Sequence, residues 1–244
     1  MSLTMKKEKV TIKKSKTVVV ETFTCEFCKK SFSKESTLAV HMCEKKRRWF
    51  NREEKYVRIG HNAYRMFYQL QFPGKTLPTY EKFMNSRQYI DFTKFGKYII
   101  DLNVIRPESF IEFVIKMALP IRDWQAPHVY ERYVREISKK ETPIAALERN
   151  ILLMEQWAQD TGEPWIDFFK KINSNLAVSW IRNGRISPWI IYTSKSANDL
   201  FIRMNDEQLS LIKEYIEPSF WKAKVKLNKE DVAWLKKELE GVGL

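Results

Sequence analysis

Cysteine is scarce in this 244-residue chain. Only three occur, which excludes a disulfide-stapled scaffold and leaves the bulk of the fold to a hydrophobic core. Glycine is scarce as well, at 7, which argues against a glycine-rich nucleotide-binding loop. No Walker loop, GxGxxG, GxSxG or HExxH run is present, so the motif-borne routes to nucleotide binding, acyl transfer and zinc proteolysis are missing. No run of 18 apolar residues occurs, so no membrane span is expected. The opening residues, MSLTMKKEKV, lack the apolar centre of a signal peptide, and the expected location is the cytoplasm rather than the secretory route. Apolar residues still make up 44%, enough for most of the chain to bury a core.

Positive charge is plentiful and uneven. The formal net charge is +13. Residues 1–60 hold 16 Lys/Arg against 7 Asp/Glu, whereas the other 184 residues hold 27 against 23. A basic N-terminal quarter favours a polyanionic partner, nucleic acid before an anionic membrane surface. A solubilising basic tail is the plainer alternative.

All three cysteines fall in one window, FTCEFCKKSFSKESTLAVHMC, together with His41. Cys25-x2-Cys28 forms a knuckle; Phe23 stands two residues before it. Lys30, Phe32 and Leu38 follow, and twelve residues separate Cys28 from His41. The spacing suits Zn2+: a short hairpin brings two thiolates to one side of the ion, and a helix starting near Lys34 presents the imidazole from the other. About 25 residues bury too little surface to fold alone, so metal binding must supply the folding energy. In these positions the segment resembles the C2H2 zinc-finger family. That resemblance implies a ββα unit around one zinc ion with Phe23, Phe32 and Leu38 as its small core. The family's second histidine is missing, since Lys45, Lys46 and Arg47 occupy the expected places. Cys43 is the foremost substitute. Residues two apart on a continuous helix point roughly 200° apart, so His41 and Cys43 can share a metal only if the helix ends or tightens near Met42. His61, a water, or no metal at all remain as alternatives.

The resemblance also implies a base-reading helix face, here Lys34, Ser36, Thr37 and Val40. Lys34 could donate to guanine, Thr37 is permissive and Val40 offers only apolar contact. One finger spans about three base pairs, too few for specificity alone. The run Lys45-Lys46-Arg47-Arg48, then Arg52, Lys55 and Arg58, has the chemistry of phosphate contacts. Trp49 and Phe50 interrupt it, either to stack on bases or to pack on a neighbour. The basic leader VTIKKSKTVVVETF alternates β-branched residues with lysine and reads as a β-ribbon or an arm that orders on binding.

Beyond residue 44 the pattern is helical, and the expected fold class is mainly α. The expected organisation is a basic leader over 1–21, the finger over 22–44, a long basic connecting helix over 45–71 with Tyr56, Ile59, Met66 and Leu70 as apolar positions, and one mainly helical domain over 72–244. Helix starts are signalled at Thr79, Pro107, Pro127, Thr142-Pro143, Asn205 and Asn228. The cleanest helix, after Thr142, carries the stripe Ile144, Leu147, Ile151, Met154 and Ala158 and stops at Gly162. Only ISPWIIYTS looks strand-like. NLAVSWIRNGRISPWIIYT is compatible with a helix-turn-helix, although Pro188 and the apolar residues after it suit DNA poorly.

For catalysis, His128 shares a helix face with Glu131 and Arg132, and Asp91, Asp101 and Asp123 are available carboxylates; nothing in their spacing selects them. The expected function is a zinc-dependent nucleic-acid-binding protein, DNA before RNA, serving transcription, replication or packaging, with no small-molecule substrate evident. A nucleic-acid-processing enzyme targeted by the finger, or an adaptor within a larger protein assembly, are the other classes considered. A single finger joined to a helical body is similar in style to uncharacterised proteins of tailed bacteriophages, which would place the chain in a host cytoplasm.

Overall fold

The computed structural model describes residues 22–244; the leader, and the β-ribbon or arm expected of it, lies outside them. Among these residues the chain is mainly α, with fifteen α-helices and one two-stranded hairpin. It divides into two compact units, Met1–Asp101 and Leu102–Leu244. Residues 72–101 therefore fall in the same unit as the cysteine-bearing hairpin, whereas the sequence pattern grouped them with the helices that follow.

The first unit opens with β1 (Phe23–Thr24) and β2 (Ser31–Phe32), antiparallel with Phe23 opposite Phe32 and Thr24 opposite Ser31. The turn between them passes through Lys29 at φ 60. Helix α1 (Glu35–Val40) follows, with Lys34 as its N-cap. Then come α2 (Glu44–Phe50), a 3-10 turn over Asn51–Glu53, and α3 (Lys55–Gln71). The continuous connecting helix expected over 45–71 is thus broken at Glu54, which is extended at φ −60, ψ 134. The break frees α3 to lie against α5 (Tyr89–Asp101), after the short α4 (Tyr80–Met84), whose N-cap Thr79 accepts from the Lys82 amide.

The α3–α5 contact is made backbone to backbone. A Cβ on Gly96 would stand 2.0 Å from the Tyr56 carbonyl oxygen, and one on Gly60 would stand 2.5 Å from that of Phe92. The buried face of α3 is Val57, Gly60, Ala63 and Tyr64. It is rotated from the stripe of larger apolar residues expected from sequence, and Leu70 is exposed. Large side chains would hold the two helices apart, so the small residues define the seam. Rings of Tyr64, Phe83, Tyr89 and Phe92 fill the remaining space, with centroid separations of 4.9 Å for Phe83–Tyr89 and 5.1 Å for Tyr64–Phe83.

The second unit holds α6 (Pro107–Lys116), α7 (Pro127–Lys140), α8 (Pro143–Thr161), α9 (Phe168–Lys171), α10 (Ser174–Arg182), α11 (Pro188–Thr193), α12 (Ala197–Ile202), α13 (Asp206–Ile216), α14 (Pro218–Leu227) and α15 (Lys229–Gly241). The proline starts and Asn/Thr caps fall where the sequence signals them: Thr142 caps α8 through the Ala145 amide, and Asn205 forms a reciprocal capping box with Gln208 on α13. The buried stripe of α8 differs from the expected one. It runs through Ala146, Leu147, Asn150, Leu153, Met154 and Trp157, while Ile144 is exposed. Asn150 can occupy a core position because its amide donates to the Ala146 carbonyl and its oxygen accepts from the Ser187 amide.

The segment read as strand-like is helical. α11 begins with Pro188 at its first turn and buries Trp189, Ile190, Ile191 and Thr193. A helix that fully buried cannot enter a DNA groove, so α10 and α11 do not form a DNA-reading pair. The turn between them is held by a buried charge network. Arg149 donates to both Glu141 carboxylate oxygens at 3.0 and 2.9 Å and to the Gly184 carbonyl at 2.6 Å, and the Ser187 hydroxyl donates to Glu141 at 2.8 Å.

Candidate metal centre and basic face

The hairpin sets the two cysteines of the knuckle through its own hydrogen bonds. The Cys25 amide donates to the Lys30 carbonyl and the Lys29 amide to the Cys25 carbonyl, each at 2.9 Å. Cys25 is 3% exposed. On the far side, α1 ends after six residues. His41 leaves it in an extended conformation, φ −69 and ψ 120, with its amide on the Leu38 carbonyl. Cys43 is extended as well and becomes the N-cap of α2, accepting from the Lys46 amide at 3.4 Å. The two-residue problem posed by His41-x-Cys43 is thereby solved: two short helices meet at an extended corner, and both side chains turn to the same side.

Cys25, Cys28, His41 and Cys43 come together there, their ligand atoms all within 4.8 Å of one another. The Cys25 and Cys43 sulfurs are 4.0 Å apart, and Cys28 Sγ lies 3.3 Å from His41 Nε2. The edges of a tetrahedral site with metal–sulfur bonds of about 2.3 Å and metal–nitrogen bonds of about 2.0 Å are roughly 3.8 Å between sulfurs and about 3.5 Å between sulfur and nitrogen. The donor set fits a metal ion, and it is the only cluster of three or more metal-ligating side chains among the described residues. Phe32 packs on the His41 ring at 4.7 Å and fixes its orientation.

The thiols influence one another. Burial works to raise Cys25, but the amides of Cys28 and Phe27 and the neighbouring thiols outweigh it and hold it below its ordinary value. The Lys30 amide works to lower Cys28, yet burial and the other two thiols leave it raised. Several thiolates cannot share so small a space without a counter-charge, and a bound cation supplies one.

His61 lies elsewhere. Its ring stacks on Phe83 at 5.2 Å, meets Tyr80 edge-on at 5.5 Å, and places Nε2 3.4 Å from the Pro78 carbonyl oxygen. Burial holds its pKa below the ordinary value. It belongs to the α3–α4 packing and takes no part in the cysteine cluster.

The basic run divides between interior and surface. The guanidinium of Arg48 donates to the Met84 carbonyl at 2.7 Å, pairs with Glu44, and lies 4.4 Å from the centre of the Tyr89 ring. Tyr80 Oη donates in turn to the Arg48 carbonyl at 2.5 Å. Lys46 Nζ donates to the His41 carbonyl at 3.1 Å. Arg52 donates to the Trp49 carbonyl and stacks on the Trp49 ring at 4.8 Å. Trp49 packs between Phe27 of the hairpin and Tyr80 of α4, at 6.4 and 6.2 Å. Arg48 and Trp49 therefore fasten the cysteine-bearing hairpin to the helices behind it, a role the pattern of charges alone does not distinguish from phosphate contact. Lys45 and Arg47 point outward and have no side-chain partner among the described residues. Phe50 is 57% exposed. On α1, Lys34, Ser36, Thr37 and Val40 are all exposed.

The carboxylates and imidazole considered for catalysis are dispersed. Glu131 pairs with Arg182 at 2.9 Å and Arg132 with Glu136, leaving His128 exposed and outside both pairs. Asp91 and Asp101 are exposed, and Asp123 pairs with Arg122.

Charge follows the division of the chain. The unit Met1–Asp101 holds 22 Lys/Arg against 10 Asp/Glu, and Leu102–Leu244 holds 21 against 20. No described helix is long and apolar enough to cross a membrane. Comparison with protein-family models, with curated proteins and with solved structures finds no match for this chain.

Proposed function

We propose that the protein binds nucleic acid through its basic first unit, and that a structural zinc ion held by Cys25, Cys28, His41 and Cys43 fixes the geometry of that surface. Three thiolates and one imidazole, with no position left over for a substrate, are the donor set of a closed structural zinc site. The observation that carries the reading is the double use of Cys43, which is both a member of the cluster and the cap of α2. A metal bound there sets the start of the helix from which Lys45 and Arg47 project. These two, with Lys34 and the exposed cations of α3, are the groups assigned to phosphate. Arg48, Arg52 and Lys46 support them from behind. Thr37 and Val40 give the finger helix little with which to distinguish bases, so affinity is expected to depend on salt more than on sequence. DNA is the partner favoured over RNA, as expected from the finger.

The test is binding of the zinc-loaded protein to duplex DNA, single strands and RNA across a salt series. Exchanging both Lys45 and Arg47 for Ala removes two phosphate contacts, and the slope of log K against log salt on duplex DNA should fall by about 1.8. Arg48→Ala should instead lower thermal stability. A double variant that binds like the parent, with an unchanged slope, would remove the basis of the proposal.

A further inference from the structure

A second surface in the first unit has the chemistry of a nucleic-acid contact, at the far end of α3 from the cysteines. α3 contains no aspartate or glutamate. Lys55, Arg58 and Arg65 are exposed and fall on one stripe, opposite the Gly60 seam that meets α5. The stripe leads to Tyr68 and Phe72, whose ring centres are 4.8 Å apart. Tyr68 is half-buried and Phe72 is 41% exposed. Each ring carries a lysine on its face. Lys82 Nζ lies 4.3 Å from the centre of the Tyr68 ring and donates to Tyr68 Oη at 3.0 Å; Lys75 Nζ lies 5.0 Å from the centre of the Phe72 ring. Both lysines are exposed, and neither has a carboxylate partner among the described residues.

We infer that this aromatic–lysine platform binds an unpaired polynucleotide strand, with bases stacked on Tyr68 and Phe72 and phosphates on Arg65, Lys75 and Lys82. It rests on the nucleic-acid reading above and narrows it to a strand whose bases are free. A ring face held by an ammonium is accessible from that side, and a base offers it a larger surface than the ammonium does. The displaced lysine keeps its charge on a flexible four-carbon stem and can follow the phosphate that arrives with the base. A duplex keeps its bases stacked and would meet only the cations, so the rings separate the two kinds of partner. From Lys55 to Phe72 the track runs roughly 26 Å along the helix. That length suits several nucleotides, as single-strand sites span about 4–16.

The experiment is fluorescence anisotropy with the full, zinc-loaded chain and labelled oligothymidine of about 15 nucleotides, with oligouridine and a duplex of equal length in parallel. Phe72→Ala and Tyr68→Leu should each weaken single-strand binding by about tenfold, while duplex binding changes less than about twofold. Tyr68→Phe keeps the ring and should keep single-strand affinity. Exchanging Lys45 and Arg47 should weaken both kinds of complex. Zinc content and melting temperature are recorded for each variant; Phe72 is exposed, so Phe72→Ala remains informative should Tyr68→Leu fold poorly. Unchanged single-strand binding by a folded Phe72→Ala, or a parent that binds duplex alone, would overturn the platform and leave the broader proposal standing. A parent that binds neither polymer at low salt would overturn both.

Discussion

Gly96→Ala should destabilise the first unit out of proportion to the single methyl group added. The new Cβ would stand 2.0 Å from the Tyr56 carbonyl oxygen and 2.9 Å from the Gly60 amide nitrogen. Both are backbone atoms of α3, so no side-chain rotation relieves the clash. The two helices must part by more than an ångström, and the packing of Ala63, Phe92 and Phe95, all at 0% exposure, loosens with them. Overpacking of this kind costs about 1–3 kcal/mol and occasionally more. Alanine's better helix propensity returns about 1 kcal/mol. A clash with rigid backbone belongs at the upper end of the cost, and the expected net loss is about 2 kcal/mol. Amide hydrogen exchange read by mass spectrometry on peptides from α3 and α5 resolves the effect from the second unit. The slowest amides there should exchange about thirtyfold faster than in the parent. Gly241→Ala, where the added atom meets nothing within 4 Å, is the control. If Gly96→Ala protects α3 and α5 as well as the parent does, the close seam between them is wrong.

Cys43→Ala should reduce zinc retention and loosen the start of α2, whereas His61→Ala should leave metal content unchanged; competition with a chromogenic chelator measures both. His61 itself predicts a pH effect. Burial holds its folded pKa below the usual 6.5, so the neutral form is favoured in the fold and its stabilising contribution is complete above pH 6.5. That contribution should be lost as pH falls from 6.5 through the folded value, and denaturant melts of His61→Phe should show a shallower decline over that window than the parent. Arg149→Met leaves the Glu141 carboxylate, with a side chain 4% exposed, holding the Ser187 hydroxyl as hydrogen-bond donor and the Lys224 ammonium as counter-charge, and should cost about 3 kcal/mol in the second unit.

Local signals in the sequence translated into structure wherever one residue's chemistry was sufficient. Thr79, Thr142 and Asn205 accept the amides expected of N-caps, and Pro107, Pro127 and Pro143 start their helices. The knuckle cysteines and His41 were legible because metal-ligand spacing is a strong constraint, and Cys43 joined them on a condition the chain meets by ending α1 at His41. Features decided by tertiary contact were not legible. Gly60 and Ala63 add little bulk to a pattern of apolar periodicity, yet they form the seam of α3. Asn150 counts as polar, yet it is buried between two backbone partners. Pro188–Thr193 is short and apolar, which is ambiguous between strand and helix until burial on all sides is known. Arg48 and Trp49 read as members of a basic run with an aromatic inserted, and only the placement of Met84, Tyr80 and Phe27 shows them fastening the hairpin to the unit. Tyr68 and Phe72 gave no signal of their own, because the lysines that flank them come from the loop after α3 and from α4.

X-ray absorption on the purified, reduced protein, with elemental analysis of the same sample, reaches the centre of the account. One zinc ion per chain is expected, with three sulfur neighbours at about 2.3 Å and one nitrogen at about 2.0–2.1 Å. A chain without stoichiometric metal, or a zinc shell short of the third sulfur, would contradict it.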